Sequence, residues 1–224
     1  MYNFKYETHL HTSEVSDCAT CSGAEQVRIY KELGYSGIIV TDHFFNGNTC
    51  VPRNLPWEER VNRFFKGYEN AYQEGKKIGL SVFFGWEESF MGTDFLVYGL
   101  DKDWLLKHQD ILSWDIPEHY KRIHADGGYF VHAHPFREAS YINEIKLFPE
   151  YEDAIEICNA SHKDPKFNIH AARYALLHNK PVTGGSDAHH ADSKHGGMYF
   201  DHKLMNIQDF IISVENREGI EMIE

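Results

Sequence analysis

Apolar stretches along this chain keep ending in the same chemistry. ETHLH closes the first at His11, IIVTDH the second at His43 and FFGWEE the third at Glu88; FVHAHP, IEICNASH and VTGGSDAH close later ones. Between them run segments with helical spacing. From Ser22 to Leu33 a capping serine is followed three residues on by Glu25, with Val27, Tyr30 and Leu33 on one face, and Gly34 ends the run. SGIIVTDH then reads as a short buried strand, WEERVNRFFKGYENAYQEGKKIG as a helix, and LSVFFGWEE and DFLVYGL as strands. A helix around Glu118 to Ala125 precedes the strands GYFVHAH and AIEICNA, and a helix from Asn168 to His178 leads into PVTGGSDAH. The strand GMYFDHK and a helix from Asn206 to Asn216 finish the pattern. This alternation predicts an α/β fold with a parallel sheet covered by helices. With no Gly-x-Gly-x-x-Gly fingerprint, a closed barrel is favoured over an open, doubly wound sheet.

In both architectures the active site lies at the C-terminal ends of the strands, so these polar strand ends would meet at one mouth. In an extended strand His9 and His11 point one way and Leu10 the other, and His132 and His134 share that spacing before Pro135 stops the strand. Asp187 and His189 repeat it after Gly184 and Gly185. Each cluster has a plain reading: His9 and His11 as surface or core histidines, Asp42 as a cap, one of Glu87 and Glu88 facing solvent. A single metal-binding mouth explains all of them together. Imidazoles mixed with carboxylates suit Zn, Mn or Fe rather than calcium or an iron–sulfur cluster. The ligands exceed what one tetrahedral ion takes, and Glu87 could bridge two; such sites serve hydrolysis, above all of phosphate esters.

A chain of 224 residues with 42% hydrophobic content suits one domain over residues 1–224. Its net charge of −12, from 22 basic and 34 acidic residues, disfavours long nucleic acid but leaves room for a small phosphorylated substrate beside bound cations. MYNFKYET lacks the apolar core of a signal peptide and no apolar run approaches a bilayer span, so a cytoplasmic protein without membrane contact is expected. The four cysteines read as free thiols; Cys18 and Cys21 form a C-x-x-C without the second pair that a zinc knuckle needs.

Four motifs, ETHLHT, TDH before Phe44, AHPFR and GSDAH, resemble in order those of the PHP (polymerase and histidinol phosphatase) superfamily, with the GWEE strand and the Glu156–Asn159 strand end between them. The resemblance spans nearly the whole chain. It implies a distorted, TIM-barrel-like (β/α)7 barrel carrying two or three divalent metal ions. By the same resemblance His9 and His11 would bind a first ion with Glu87 and Asp187, and Glu87 would bridge to a second held by His134. His43 and His189 would hold a third with an acid from the loop after His11, either Asp17 or Glu14. Where the family usually carries a histidine before the FLVYGL-type strand, this chain has Asp94, which could ligate in its place. His132 is an extra histidine relative to the pattern.

The expected activity is metal-dependent hydrolysis of a small phosphoester, of the histidinol phosphatase or nucleotide phosphoesterase kind. Bound ions acidify a water and neutralise charge on phosphoryl oxygens. Arg137, just after AHPF, would clamp such an oxygen, and His190, His162 or His195 could protonate the leaving group. Two alternatives stand beside this: a metal-dependent exonuclease, and a non-catalytic metal-binding domain. The segment Phe44 to Arg60, with Arg53 and Trp57, is expected to form a lid or pocket wall.

Overall fold

The computed structural model describes residues 2–223. Each buried apolar run forms a strand: β1 (Phe4–Leu10), β2 (Gly37–Val40), β3 (Ser81–Ser89), β4 (Asp94–Tyr98), β5 (Tyr129–Ala133), β6 (Ala154–Asn159) and β7 (Val182–Gly185). β8 (Gly196–Phe200) and β9 (Ile220–Ile223) complete one mixed sheet in the order β7-β6-β5-β4-β3-β2-β1-β8-β9. The sheet curls until the end of β1 meets the segment after β7. There Asp187 N–H donates to His9 O at 2.7 Å and His11 N–H to Ala188 O at 2.9 Å, giving a nearly closed α/β barrel. Among the described residues no helix is long and apolar enough to cross a membrane.

Helices α1 (Gly23–Glu32), α2 (Trp57–Phe64), α3 (Lys66–Ile78), α4 (Lys102–Lys107), α5 (Ile116–Ala125), α6 (Lys166–Leu177) and α7 (Ile207–Glu215) cover the sheet. Ser22 and Glu25 form the expected capping box of α1, satisfying backbone N–H groups that the first helical turn leaves without partners. The long helix expected from Trp57 to Gly79 is divided at Phe65 into α2 and α3. Strand alternation then separates two apolar layers. On β4, Phe95 and Val97 pack outward with Trp86 and Phe130, while Leu96 and Tyr98 pack with Tyr6, Val131 and Phe200. Phe210, Ile211 and Val214 of α7 join that second layer.

The parallel sheet expected from the sequence holds except for two reversed strands, β4 and β8. β4 runs antiparallel to both β3 and β5. Only Phe90–Thr93 separates it from β3, too short for a crossover helix, and Met91 and Gly92 take φ of 55° and 96°, both left-handed as a tight hairpin turn requires. β8 is likewise antiparallel to β1.

The Phe44–Arg60 segment is packed rather than lid-like. Phe44, Phe45 and Val51 are buried, Trp57 donates to Leu105 O at 2.8 Å, and the Arg60 guanidinium lies 4.2 Å from the centre of the Phe45 ring. Asn46, Gly47 and Asn48 alone of this segment reach the cavity at the barrel mouth.

Candidate metal centre

The strand ends do converge. His9 lies near the end of β1 with Nδ1 2.8 Å from Glu156 Oε1 on β6. A carboxylate only accepts, so Nδ1 carries the proton and Nε2 faces the barrel mouth. His11 Nδ1 stands 3.2 Å from Ser16 Oγ, whose own hydrogen goes to Asp42 Oδ1 at 2.8 Å. Ser16 therefore accepts from His11, and a second Nε2 turns inward. His189 Nδ1 donates to the Asp187 carbonyl at 2.9 Å, which turns a third. This pattern, one ring nitrogen donating to a fixed acceptor and the other left with its lone pair, is how proteins prepare histidine for a metal ion.

Glu87, at the end of β3, sits between the imidazoles and is 1% exposed. Its Oε1 is 3.0 Å from His134 Nε2 and 3.5 Å from His9 Nε2; its Oε2 is 2.6 Å from His43 Nδ1 and 3.6 Å from His11 Nε2. Asp187 Oδ1 is 3.2 Å from His11 Nε2 and 3.6 Å from His9 Nε2. Three overlapping groups result, each with ligand atoms close enough to share an ion: His9, His11 and Asp187; His9, Glu87 and His134; His11, His43 and His189.

Two observations test whether a cation fits. Glu87 Oε2 and His43 Nδ1 are buried without hydrogen-bond geometry to any partner, although they approach each other closely. His9 and His11 present Nε2 atoms to each other at 3.2 Å. Buried lone pairs aimed at one another are costly unless something positive lies between them. The donor set fits a divalent ion.

Charge coupling supports the same picture. Burial alone would raise the Glu87 carboxyl, but His43, His134 and His9 hold it well below the usual range. Burial presses His9 down, and Glu156 and Asp187 outweigh it, so His9 rises well above an ordinary histidine. His11 goes the other way, lowered by burial and by His43 and His189. Asp187 is held low against its burial by Arg137 and His9. The Arg137 guanidinium donates to Asp187 Oδ2 and, at 3.2 Å, to Ser161 Oγ. In such a cluster metal binding would displace protons.

His134 and Asp187 both have left-handed backbones, with φ of 31° and 54°. Such backbones are uncommon for residues with a Cβ and gather at functional sites. At His134 the consequence is direct. Simple alternation would put it on the side of His132, which faces Glu152 at 2.7 Å and stacks on Phe95 at 4.6 Å, away from the cluster. The turn at His134 sends its ring to Glu87 instead.

Several expected residues stand elsewhere. Glu14 accepts from Gly23 N–H and from Asn70 Nδ2 at 2.9 Å, so its carboxylate serves the helices rather than the mouth. Asp17 is exposed and belongs to none of the three groups. From this loop it is Cys18 that lines the cavity with His43 and His189; burial raises its thiol, but the two imidazoles bring it down to about 6. Asp94 lines the cavity 4.0 Å from His134 Nδ1, opposite the nitrogen that faces Glu87. His190 is exposed, its Nδ1 2.9 Å from Thr20 Oγ1. Glu88 does not face solvent: it is buried, accepting from Trp86 Nε1 and Asn46 Nδ2. Asp42 accepts from Thr12 N–H and Oγ1 as well as from Ser16, a brace rather than a ligand.

Glu156 escaped the sequence reading as a site residue. It lies inside an apolar strand, yet both oxygens are used: Oε1 by His9, Oε2 by His134 N–H at 2.9 Å and Asn159 Nδ2 at 3.0 Å. An acid alternating with isoleucines in AIEIC was the available signal.

Residues 165–193, which include α6 and the GGSDAHH stretch, match the family model described as PHP-associated. Over that stretch the chain is similar to this family. Solved structures share the fold at low identity. A two-domain protein of Bacteroides vulgatus, containing a predicted PHP-like metal-dependent phosphoesterase, superposes with a TM-score of 0.72 at 15% identity, over 98% of this chain and 64% of that one. This chain thus spans less than two thirds of that relative's length. A protein of Bifidobacterium adolescentis, described as a candidate metal-dependent phosphoesterase, gives 0.57 at 15% identity over 96% of both chains. An amidohydrolase of Chromobacterium violaceum, with bound sulfate and no metal, gives 0.58 at 12% identity over 96% of this chain and 97% of that one. No curated protein matches the chain in sequence.

Proposed function

We propose that the chain is a metal-dependent phosphoesterase that hydrolyses a small phosphorylated molecule. The observation that carries this reading is Glu87: its two carboxylate oxygens face two different sets of imidazoles, the arrangement a carboxylate needs to join two ions. Two or three divalent ions, Zn, Mn or Fe, would be held by His9, His11 and Asp187, by His9, Glu87 and His134, and by His11, His43 and His189. They would supply an acidified water and a positive field for phosphoryl oxygens.

The remaining roles belong to the chain itself. Glu156, Ser16 and the Asp187 carbonyl keep three imidazoles oriented. Arg137 lines a cavity of about 580 Å³ with Asn46, Asn48 and Tyr141, and a guanidinium there suits an anionic substrate by planar, paired hydrogen bonds. The cavity is sized for a metabolite, and a chain of net charge −12 offers little to a polynucleotide. We assign residues 1–224 to one domain and place the protein in the cytoplasm, where its four free thiols persist.

The test is phosphate release from a panel of phosphomonoesters and diesters, with protein loaded in turn with zinc, manganese and iron. Turnover that depends on the ion and disappears in His11→Ala and Asp187→Ala, both still folded, is expected. Full activity in both variants, or none with any ion and ester, would overturn the reading. Degradation of a labelled single strand in preference to small esters would favour the exonuclease alternative. Ion binding without turnover would favour the non-catalytic one.

A further inference from the structure

Cys18 lies in the loop between β1 and α1, a loop tied to both sides of the barrel mouth. Asp17 N–H donates to Asn48 O at 2.9 Å beyond β2, and Thr20 N–H donates to His189 O at 2.8 Å beyond β7. Cys18 stands between those two anchors and lines the cavity together with His43 and His189. Those rings meet each other at 3.5 Å between Nε2 atoms. Behind them lies buried Glu87 Oε2, without a hydrogen-bond partner and aimed at His43. Glu14 is engaged by Gly23 and Asn70, and neither it nor Asp17 lines the cavity.

We propose that Cys18, His43 and His189 form a thiolate-bearing metal position at the edge of the cluster, suited to a soft or borderline ion such as zinc or iron. The proposal rests on the metal-centre reading above and adds the identity of one ligand and its ion preference. A thiolate binds such ions well and hard ions such as magnesium poorly. It also predicts a different selectivity for this position than for the pair of positions around Glu87 and Asp187, whose donors are nitrogen and oxygen only.

Cobalt(II) provides a readout independent of turnover. The full chain, freed of metal and titrated with cobalt, should show a sulfur-to-cobalt charge-transfer band in the near ultraviolet beside the visible bands of the bound ion. Cys18→Ser and Cys18→Ala should lose that band, whereas Cys21→Ser, Cys50→Ser and Cys158→Ser should keep it. Cys18→Asp should lose the band but keep the ion count by elemental analysis, because the anionic ligand remains. Visible cobalt bands without the sulfur band in the parent protein would overturn the proposal and leave the metal centre standing. Persistence of the band in Cys18→Ser would also overturn it. Absence of all cobalt absorption would overturn both.

Discussion

His9 Nδ1 lies 2.8 Å from Glu156 Oε1, two strand ends joined by one buried contact. Glu156 fixes which nitrogen of His9 faces the ions, so Glu156→Gln should weaken zinc binding by about 10–100-fold. Calorimetric titration against the parent protein checks this, and equal affinity would count against the orienting role. Glu156→Ala also strips the acceptor from His134 N–H and should lower stability by about 1–3 kcal/mol in urea unfolding.

Ions that bind only the folded chain stabilise it by mass action, about 2.7 kcal/mol at a free concentration one hundred times Kd. Adding zinc to metal-free protein should therefore raise Tm, and a chelator should lower it again. In a His11→Ala, Asp187→Ala double variant the zinc-dependent rise should shrink to a small fraction. An unchanged rise would show that the stabilising ion sits elsewhere.

Gly67 packs α3 against the brace beneath the mouth. A Cβ there would overlap Thr12 Oγ1 and come within 2.6 Å of Asp42 Oδ2. Gly67→Ala should push Asp42 off Ser16, release His11 from its orientation, and cut ion affinity although residue 67 touches no ligand. Destabilisation should be about 1–3 kcal/mol, as for other overpacked core positions. A variant with parental metal affinity would remove the proposed link from Asp42 through Ser16 to His11.

Arg137 is held by Asp187 and Ser161 at the cavity edge. If it binds the phosphoryl group in the transition state, Arg137→Ala should lower kcat/KM about 10²–10³-fold. Arg137→Lys should recover only part of this, since an ammonium cannot make paired planar contacts. Steady-state kinetics on the best ester of the panel decides it; a parental rate in Arg137→Ala would exclude the role.

His162 is pushed down to about 4, by burial first and then by the charges of His134 and Arg137, with Asn168 Oδ1 2.7 Å from its Nδ1. An unfolded histidine takes a proton near 6.5, before the folded one does. Stability from this residue is thus full above pH 6.5 and falls as pH drops toward 4. His162→Gln should flatten that part of the profile in urea midpoints compared at pH 7 and pH 5. It should leave turnover near neutrality largely intact, because a histidine neutral there has no proton to give a leaving group. Identical slopes for variant and parent would contradict this.

The barrel was legible because its strands are short apolar runs closed by polar ends, and α1 because Ser22 and Glu25 announce its start. His9, His11, His43, Glu87, His134, Asp187 and His189 were legible as a group for the same reason, and the structure brings them together. What escaped was set by contacts between distant residues. Alternation implied that His132 and His134 share a side, and only the left-handed φ at His134 separates them. An acid was expected in the loop after His11, but Glu14 is drawn to Gly23 N–H and Asn70, Asp17 is exposed, and Cys18 is the residue of that loop that lines the cavity. α4 and β9 went unread because each is short: α4 starts at an Asp101 cap, and β9 exists by pairing with β8.

The reversed direction of β4 has a consequence for how such a protein can change its selectivity. A strand run backwards offers the mouth its first residue, Asp94, and places the tip of its hairpin over the opening, with Met91 96% exposed beside the cavity. Residues gained or lost at that tip would remould the entrance while the barrel ladder and the ion-holding side chains stay as they are. Divergence in what enters can therefore accumulate at a two-residue turn, without renegotiating the chemistry behind it.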